Sequence, residues 1–240
     1  MSEKQQYYRF RFKQFGINDS RCAMKMGTDG VLLGAWANVE SSHNILDIGS
    51  GSGLISLMVA QRSNAKVIGI EIDSNAAIQS IENINNTPWK ERLTIINSDF
   101  TNWASTQQCQ FDHIVSNPPF FSSGPKAPTT ARATARHENS LTYEFLIKSA
   151  SQLLTKDGKL SIISPFDRKD DIIFCCELFQ LYISRMTLVS SKPNCTPNRI
   201  LWEICRQKQI SSHTHLFIRT ENNEYSEDYI NLTKDFYLNF

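Results

Sequence analysis

The stretch Ser116-Asn117-Pro118-Pro119-Phe120 follows a short apolar run, Phe111 to Val115. An exocyclic amine on a nucleobase, or an amide nitrogen, is a poor nucleophile because its lone pair is delocalised. Two acceptors aimed at its two hydrogens draw the nitrogen toward tetrahedral geometry. The lone pair is then free to attack an electrophilic carbon. The side-chain oxygen of Asn117 and the backbone carbonyl of Pro118 can act as those acceptors. Two prolines stiffen the turn, so the carbonyl needs little reorganisation. The ring of Phe120 can stack on a base lifted out of its strand. Alone, Asn-Pro-Pro is equally an ordinary rigid turn, so its meaning depends on what lies beside it.

Three further features fall at strand ends. Asp47-Ile48-Gly49-Ser50-Gly51-Ser52-Gly53 follows one apolar run and opens a helical stretch. Glycines allow a tight turn and admit a ligand where a Cβ would block it. Glu71 closes the next run, 18 residues after Gly53. A carboxylate there can accept hydrogen bonds from both hydroxyls of a ribose. Asp99-Phe100 follows the third run, setting a carboxylate for an adenine amine and an aromatic to flank the ring. The glycines miss the dinucleotide fingerprint, because its last glycine is Leu54 counted from Gly49 and Ser56 counted from Gly51. No Gly-Lys-Ser/Thr phosphate loop is present either. A glycine loop with ribose and adenine carboxylates, but no pyrophosphate cradle, describes a nucleoside with a short, uncharged-to-zwitterionic arm. S-adenosylmethionine is such a molecule. The reaction is then an in-line displacement at a sulfonium methyl, needing positioning but no metal and no covalent intermediate.

Positioning these residues falls to short apolar strands alternating with helices. Strands are expected at Ile45 to Ile48, Val67 to Ile72, Leu93 to Ile96, Phe111 to Val115 and Leu160 to Ile163. Helices are expected at Leu54 to Gln61, from a Ser74 cap to Asn86, from a Ser140 cap through Leu154, and at Ile172 to Tyr182. Ala77, Ile78, Ile81 and Ile84 would form the apolar face of the second helix. This alternation predicts an α/β fold, a doubly wound, mostly parallel sheet of about seven strands. The loop Ser190 to Asn198 is too short for a parallel crossover, so Met186 to Val189 and Leu201 to Cys205 should pair antiparallel. Before the core, Tyr8 to Lys13 alternates like a half-exposed strand, Gly27 to Gly30 reads as a turn and Val31 to Ala37 as a short helix. One domain is expected, with residues 1–43 as a basic N-terminal extension, 44–206 as the core and 207–240 as a docked tail. Phe236, Tyr237 and Phe240 should dock because free rings would stand in water.

Composition bounds the partners. The chain has 240 residues, 40% hydrophobic and 20% charged, which is globular rather than disordered. Its formal net charge of +1 excludes gripping nucleic acid by bulk charge alone. The six cysteines are scattered without a CxxC pair, which argues for reduced thiols in the cytoplasm rather than a zinc site or disulfide scaffold. No apolar run approaches the roughly 20 residues of a membrane span, and the start lacks a secretory core. His213-x-His215 has no further ligand cluster and reads as a surface pair, and Cys175-Cys176 reads as packing in an apolar helix.

Both motifs, Asp47-x-Gly49-x-Gly51-x-Gly53 and Asn117-Pro118-Pro119-Phe120, resemble those of class I S-adenosylmethionine-dependent amino-methyltransferases. Nearly the whole chain resembles one family of them, the bacterial tRNA (adenine-N(6))-methyltransferases that modify the adenosine next to the anticodon of a valine tRNA. That likeness rests on Phe12-Lys13-Gln14-Phe15, Arg21-Cys22-Ala23-Met24-Lys25, Gly27 to Ala37, Glu82-Asn83-Ile84-Asn85 and Asp235-Phe236-Tyr237-Leu238. It implies that Asp47, Gly49, Ser50, Gly51, Gly53, Glu71, Ile72, Asp99 and Phe100 hold the cofactor. It also implies that Thr28 and Asp29 lie near its methionine end. Asn117, Pro118 and Phe120 would act on the adenine amine. Phe120 stands where family members often carry Tyr, which preserves stacking but removes any hydroxyl role.

The implied partner is tRNA, with the protein a cytoplasmic monomer. Two basic segments could hold RNA phosphates. One is residues 1–25, with six cations against Glu3 and Asp19, and the other is the loop 121–139 with Lys126, Arg132, Arg136 and His137 against Glu138. The same fold also serves other acceptors: guanine N(2) in ribosomal RNA, adenine in DNA, or a glutamine side chain. A non-catalytic RNA-binding adaptor is the reading from another class.

Overall fold

Short apolar runs without polar alternation belong inside a parallel sheet, where both faces are covered. Five such strands lie side by side: β3 (Asn44–Ile48), β4 (Lys66–Glu71), β5 (Leu93–Asn97), β6 (Phe111–Ser116) and β7 (Leu154–Pro165). The computed structural model describes residues 8–108, 110–118 and 141–240. The five strands run parallel in the order β5-β4-β3-β6-β7. From β3 the chain passes through α2 (Leu54–Arg62) to β4, then through α3 (Ser74–Asn85) to β5. It returns by α4 (Phe100–Thr106) to β6, on the other side of β3. Strand order therefore reverses between β3 and β6, where an open sheet leaves a crevice beyond its carboxyl ends.

Beyond β7, the expected antiparallel pair is present: β9 (Arg199–Cys205) lies between β7 and β8 (Tyr182–Ser190), antiparallel to both. An eighth strand, β10 (Ser212–Phe217), adds parallel to β8 at the edge, within residues that the sequence presents only as tail. It was hidden because four of its six residues are exposed and only Leu216 is buried, so no apolar run marks it.

Two apolar clusters cover the two faces. One holds Leu33 of α1 (Thr28–Trp36), Leu57 and Met58 of α2, Ile84 of α3 and Tyr229 of α7 (Glu227–Thr233). The other holds Phe100, Leu146 and Ile147 of α5 (Tyr143–Leu153), and Ile172 and Cys175 of α6 (Lys169–Leu178). Helix α1 buries seven consecutive residues, Gly30 to Trp36. A Cβ on Gly34 would stand 2.7 Å from the Met58 Sδ, so α1 and α2 meet at backbone distance.

Several boundaries differ from expectation. The residues read as a turn at Gly27 to Gly30 are the N-cap and first turn of α1, because the buried apolar run pulls Thr28 and Asp29 into helix. Tyr8 to Lys13 pairs only at β1 (Phe10–Arg11), against β2 (Gly16–Ile17). Asp73 rather than Ser74 caps α3, accepting from Asn75 and Ala76 amides. Leu154 starts β7 instead of ending a helix, and α6 stops at Leu178, leaving Tyr182 to open β8. Thr142 caps α5, while the expected Ser140 cap lies outside the described residues.

The end of the chain packs on its beginning. Phe236 is buried, and Phe12 stacks on Phe15 while Tyr237 lies 5.8 Å from Phe12. Lys13 donates its amide to the Phe236 carbonyl and its Nζ to the Lys234 and Phe240 carbonyls.

Behind the site, β9 carries a buried charge. Glu203 is 4% exposed and accepts from Lys159 Nζ at 3.1 Å, Ser184 Oγ at 2.9 Å and Arg185 Nη2 at 3.1 Å. The Arg185 guanidinium sits 3.6 Å from the Trp36 ring centre. Burial pushes the Glu203 carboxyl up, but Arg185 and Lys159 outweigh it and hold it below its ordinary value. Burial pushes buried His113, bonded to Ser161 Oγ, down to about 4. The unfolded chain thus binds protons that the native state refuses. Loss of stability through His113 begins near its ordinary value of 6.5 and is complete near 4. That through Glu203 sets in below its ordinary 4.5. Urea midpoints should fall as pH drops from neutral, and His113→Gln should flatten only the upper part of that fall. Glu203→Ala should cost about 3 kcal/mol at neutral pH, by leaving Arg185 and Lys159 without their partner.

Candidate active site

The loop between β3 and α2 runs through left-handed backbone at Gly49 (φ 74°), Gly51 (φ 54°) and Gly53 (φ 81°), a region costly for residues with a Cβ. It is tied down from below: the Gly49 and Ser50 amides donate to the Ile70 carbonyl of β4 at 2.9 and 3.1 Å. A Cβ built on Gly49 or Gly51 meets nothing within 4 Å, so both face open space. One on Gly53 would stand 2.4 Å from Ser80 Oγ of α3. Gly49, Ser50 and Gly51 line a cavity of about 740 Å³, while Gly53 sits behind it.

Glu71, at the end of β4, lines the same cavity and is 8% exposed. Its Oε2 accepts from the Gly51 amide at 2.7 Å and its Oε1 from the Asp73 amide at 2.8 Å. Each oxygen keeps a lone pair for a ligand, so Glu71 shapes the loop as well as facing the cavity. Asp99 also lines it, and its Oδ1 caps α4 by accepting from the Thr101 and Asn102 amides and the Thr101 hydroxyl. The Thr101 hydroxyl first, and then those amides, hold its carboxyl below the ordinary value. Ile72 lines the cavity while 57% exposed, and Phe100 lines it while buried edge-on against Phe145.

Asp47 takes another place. It is wholly buried within β3, accepts from Ser56 Oγ of α2 at 2.6 Å, and does not line the cavity. Burial pushes its carboxyl up to about 7, and its Oδ1 has no hydrogen-bond partner among the described residues.

Asn117 stands at the end of β6, on the cavity wall. The strand end is pinned because Ser116 Oγ donates to the Ile48 carbonyl of β3 at 2.8 Å. The Asn117 Oδ1 is buried with no hydrogen-bond partner among the described residues. The first turn of α1 backs onto it, since a Cβ on Gly30 would lie 4.0 Å from the Asn117 Nδ2. Pro118 is buried next to it, and Phe120 lies outside the described residues, as does the basic loop 121–139.

Thr28 and Asp29 are not among the lining residues; their neighbours Met26, Gly27 and Gly30 are. Asp29 instead accepts from Arg199 Nε at 2.8 Å, because the helix begun at Thr28 turns that carboxylate toward β9. Residues that no spacing rule marked, from Cys22 to Met26 and Leu54, complete the wall. Burial, then Asp19 and Glu71, push the Cys22 thiol up to about 11, which leaves it protonated and inert.

Most described N-terminal cations are spent within the fold. Arg9 pairs with Asp19 and Arg21 with Glu82, while Lys13 and Lys25 donate to backbone carbonyls. Among the described residues no group of three His, Cys, Asp or Glu is placed to hold a metal ion. His213 and His215 are exposed on β10. No described helix is long and apolar enough to cross a membrane.

Comparison with known proteins agrees with this geometry. The family model of the methyltransferase small domain matches residues 24–170, which include both the glycine loop and the Asn-Pro-Pro turn. The chain is 45% identical over 230 residues to a tRNA1(Val) (adenine(37)-N6)-methyltransferase of Bacteroides fragilis, covering 95% of this chain and 97% of that one. It is 43% identical over 241 residues to the protein of that name from Shewanella loihica, covering 95% and 98%. The chain belongs to the tRNA1(Val) (adenine(37)-N6)-methyltransferase family. Its fold is that of class I methyltransferases. A solved structure of a predicted O-methyltransferase from Agrobacterium tumefaciens superposes with a TM-score of 0.68, at 20% identity, over 87% of this chain and 96% of that one. A glycopeptide N-methyltransferase complexed with S-adenosyl-L-methionine does so at 0.54, with 13% identity, over 77% and 90%.

The tRNA1(Val) (adenine(37)-N6)-methyltransferase relatives cover nearly the whole chain, whereas the small-domain match begins at residue 24. The wall built from Cys22 and Ala23 therefore starts ahead of the matched domain.

Gly53→Ala combines positive φ with a clash on Ser80, so it should lower stability by about 2 kcal/mol or more. Adding Ser80→Ala should recover the clash but not the strain. Gly49→Ala, facing open space, should cost only the strain. Chemical denaturation of the four proteins checks the order.

Proposed function

We propose that this chain transfers a methyl group from S-adenosyl-L-methionine to the exocyclic N(6) of an adenosine in tRNA. The adenosine beside the anticodon of a valine tRNA is the acceptor, in line with the name its relatives carry. The observation that carries the reading is the buried oxygen of Asn117, without a partner among the described residues, on the wall of a cavity whose other walls suit a nucleoside.

The residues fit the methyl donor. Open space above Gly49 and Gly51 gives its backbone-hugging arm room, and Glu71 keeps a lone pair on each oxygen for ribose hydroxyls. Asp99 uses Oδ1 for its cap, which leaves Oδ2 for an adenine amine. Ile72 supplies an apolar face for the ring, and Phe100 stiffens the floor. Asp47 holds the start of α2 through Ser56 rather than touching the ligand. Asp29 is assigned to Arg199, and Thr28 to the helix start, in place of the methionine end.

When bound, S-adenosylmethionine supplies an electrophilic methyl on a positively charged sulfur. Asn117 Oδ1 and the Pro118 carbonyl accept the two hydrogens of the target amine, drawing its lone pair out of the ring. An orphaned buried acceptor gains most from a new donor, because its desolvation has already been met in the folded enzyme. Phe120, outside the described residues, would stack on the extruded base as the family resemblance implies. As the nitrogen lone pair forms the N–C bond, the sulfonium S–C bond would break to leave a neutral thioether, and one amine proton would pass to water. Rival acceptors would use the same two oxygens, so the acceptor must be read from the product.

Incubation with labelled methyl donor and unmodified valine tRNA, followed by digestion to nucleosides, should yield N(6)-methyladenosine. Ribosomal RNA, DNA and a glutamine peptide run alongside should stay unlabelled. Asn117→Ala should slow transfer roughly 100-fold or more while donor affinity stays near that of the parent. A variant turning over at the parent rate would remove the amide from the mechanism. An inactive parent that also fails to bind the donor would favour the adaptor reading.

A further inference from the structure

Helix α3 follows its apolar spacing only in part: Ala77 and Ile84 are buried, 2% and 3% exposed. Ile78 and Ile81, expected on its buried face, are 49% and 42% exposed, while Gln79, Ser80 and Asn83 are 3%, 0% and 1% exposed. Buried amides left without partners are costly, so a folding sequence gains nothing from this face unless it holds something. What it holds are two walls of the donor cavity. Asn83 Nδ2 donates to the Ser52 carbonyl of the glycine loop at 2.9 Å and to the Asn18 carbonyl at 2.8 Å. Its Oδ1 accepts from the Asn18 amide at 3.0 Å. One side chain thus binds the glycine loop and residue 18 to each other. Next to it, Gln79 Oε1 accepts from Ser20 Oγ at 3.2 Å, and Glu82 accepts from Arg21 at 2.8 Å.

Residues 18–27 continue from this anchor into the cavity wall, which they line from Cys22 to Gly27. The segment is gathered on itself by Lys25. Its Nζ donates to the carbonyls of Asp19 at 2.9 Å, Ser20 at 3.1 Å and Cys22 at 2.8 Å, using all three protons. The Met26 amide closes the knot by donating to Asp19 Oδ2 at 2.9 Å.

We propose that Asn83 and Lys25 are positioning residues for the methyl donor. Asn83 sets the separation between the glycine loop and residues 18–27, and Lys25 folds those residues into the opposite wall. Asn83 is not among the residues that line the cavity, and Lys25 lines it with its ammonium turned to three backbone carbonyls. The proposal rests on the reading of the cavity as the donor site.

Calorimetry with S-adenosylmethionine, paired with steady-state methyl transfer to valine tRNA, tests it. Asn83→Ala and Lys25→Met should each raise Kd and KM for the donor about tenfold, the equivalent of one lost hydrogen bond. At saturating donor, kcat and the KM for tRNA should stay within about twofold of the parent. Ser20→Ala, which removes only the hydroxyl tie to Gln79, should raise the donor Kd by less. Should Asn83→Ala fail to fold, hydrogen exchange on the parent still decides. Residues 18–27 and 50–53 should gain protection together when S-adenosylmethionine is added, with α6 unchanged. Donor affinity within twofold of the parent in folded variants, a fall in kcat at unchanged donor KM, or no protection of 18–27 would each overturn the proposal. Failure of the parent itself to bind S-adenosylmethionine would instead overturn the reading of the cavity.

Discussion

A carboxylate grips a stretch of backbone that only glycine tolerates, and the site is arranged around that grip. Glu71 Oε2 takes the Gly51 amide, its Oε1 takes the amide of Asp73, and Asp73 in turn caps α3. Three left-handed glycines let the chain double back tightly enough for this. With the loop held, the carboxyl ends of β3 and β4 share one floor, and the cavity follows from the reversal of strand order beside them. A side chain at Gly49 or Gly51 would occupy the space left for a ligand, so strain and function are satisfied by the same atom-sized absence.

The catalytic end is placed by a different set of contacts. Ser116 locks β6 to β3, and the first turn of α1 lies beside Asn117, where the missing side chain of Gly30 leaves room for Leu54. Among the described residues the amide oxygen is left without a partner, in a setting where most buried polar groups are satisfied. Such an orphan is a cost in the folded protein and, in the reaction proposed above, a preorganised acceptor for the target amine. The charge network of Glu203, Lys159 and Arg185 sits behind α1, with Trp36 clamped to Arg185, and steadies the other end of that helix.

Charge at the N-terminus serves the fold as well as the surface. Lys25, Lys13, Arg9 and Arg21 each have partners within the chain, while the Arg9 and Arg21 side chains stay 60% and 47% exposed. Counting charges cannot distinguish a lysine in water from one wrapped in carbonyls, because both orders of residue look alike in one dimension. The same blindness affected α3. Helical spacing placed Ala77 and Ile84 on its inner face correctly, but Ile78 and Ile81 turn outward and Gln79 and Asn83 share that face, where Asn18 and Ser52 bond Asn83.

Period and residue type were enough to find the parallel strands, helices α2, α3, α5 and α6, the antiparallel pair at the end and the motifs at the strand ends, whereas α4, with Phe100 its one buried residue, went unmarked. Buried strands must be apolar and loops with positive φ must be glycine, and those demands are local, so they are written in consecutive residues. Strand β10 escaped because an edge strand with one buried residue makes no such demand. Only the folded chain decided which residues around the motifs became the wall. Cys22 to Gly27 meet Ile72 and Asp99 across the cavity, Asp29 turns to Arg199, and Asp47 withdraws beneath α2. Those outcomes depend on distances between segments far apart in the chain, and such distances exist only once the sheet has assembled.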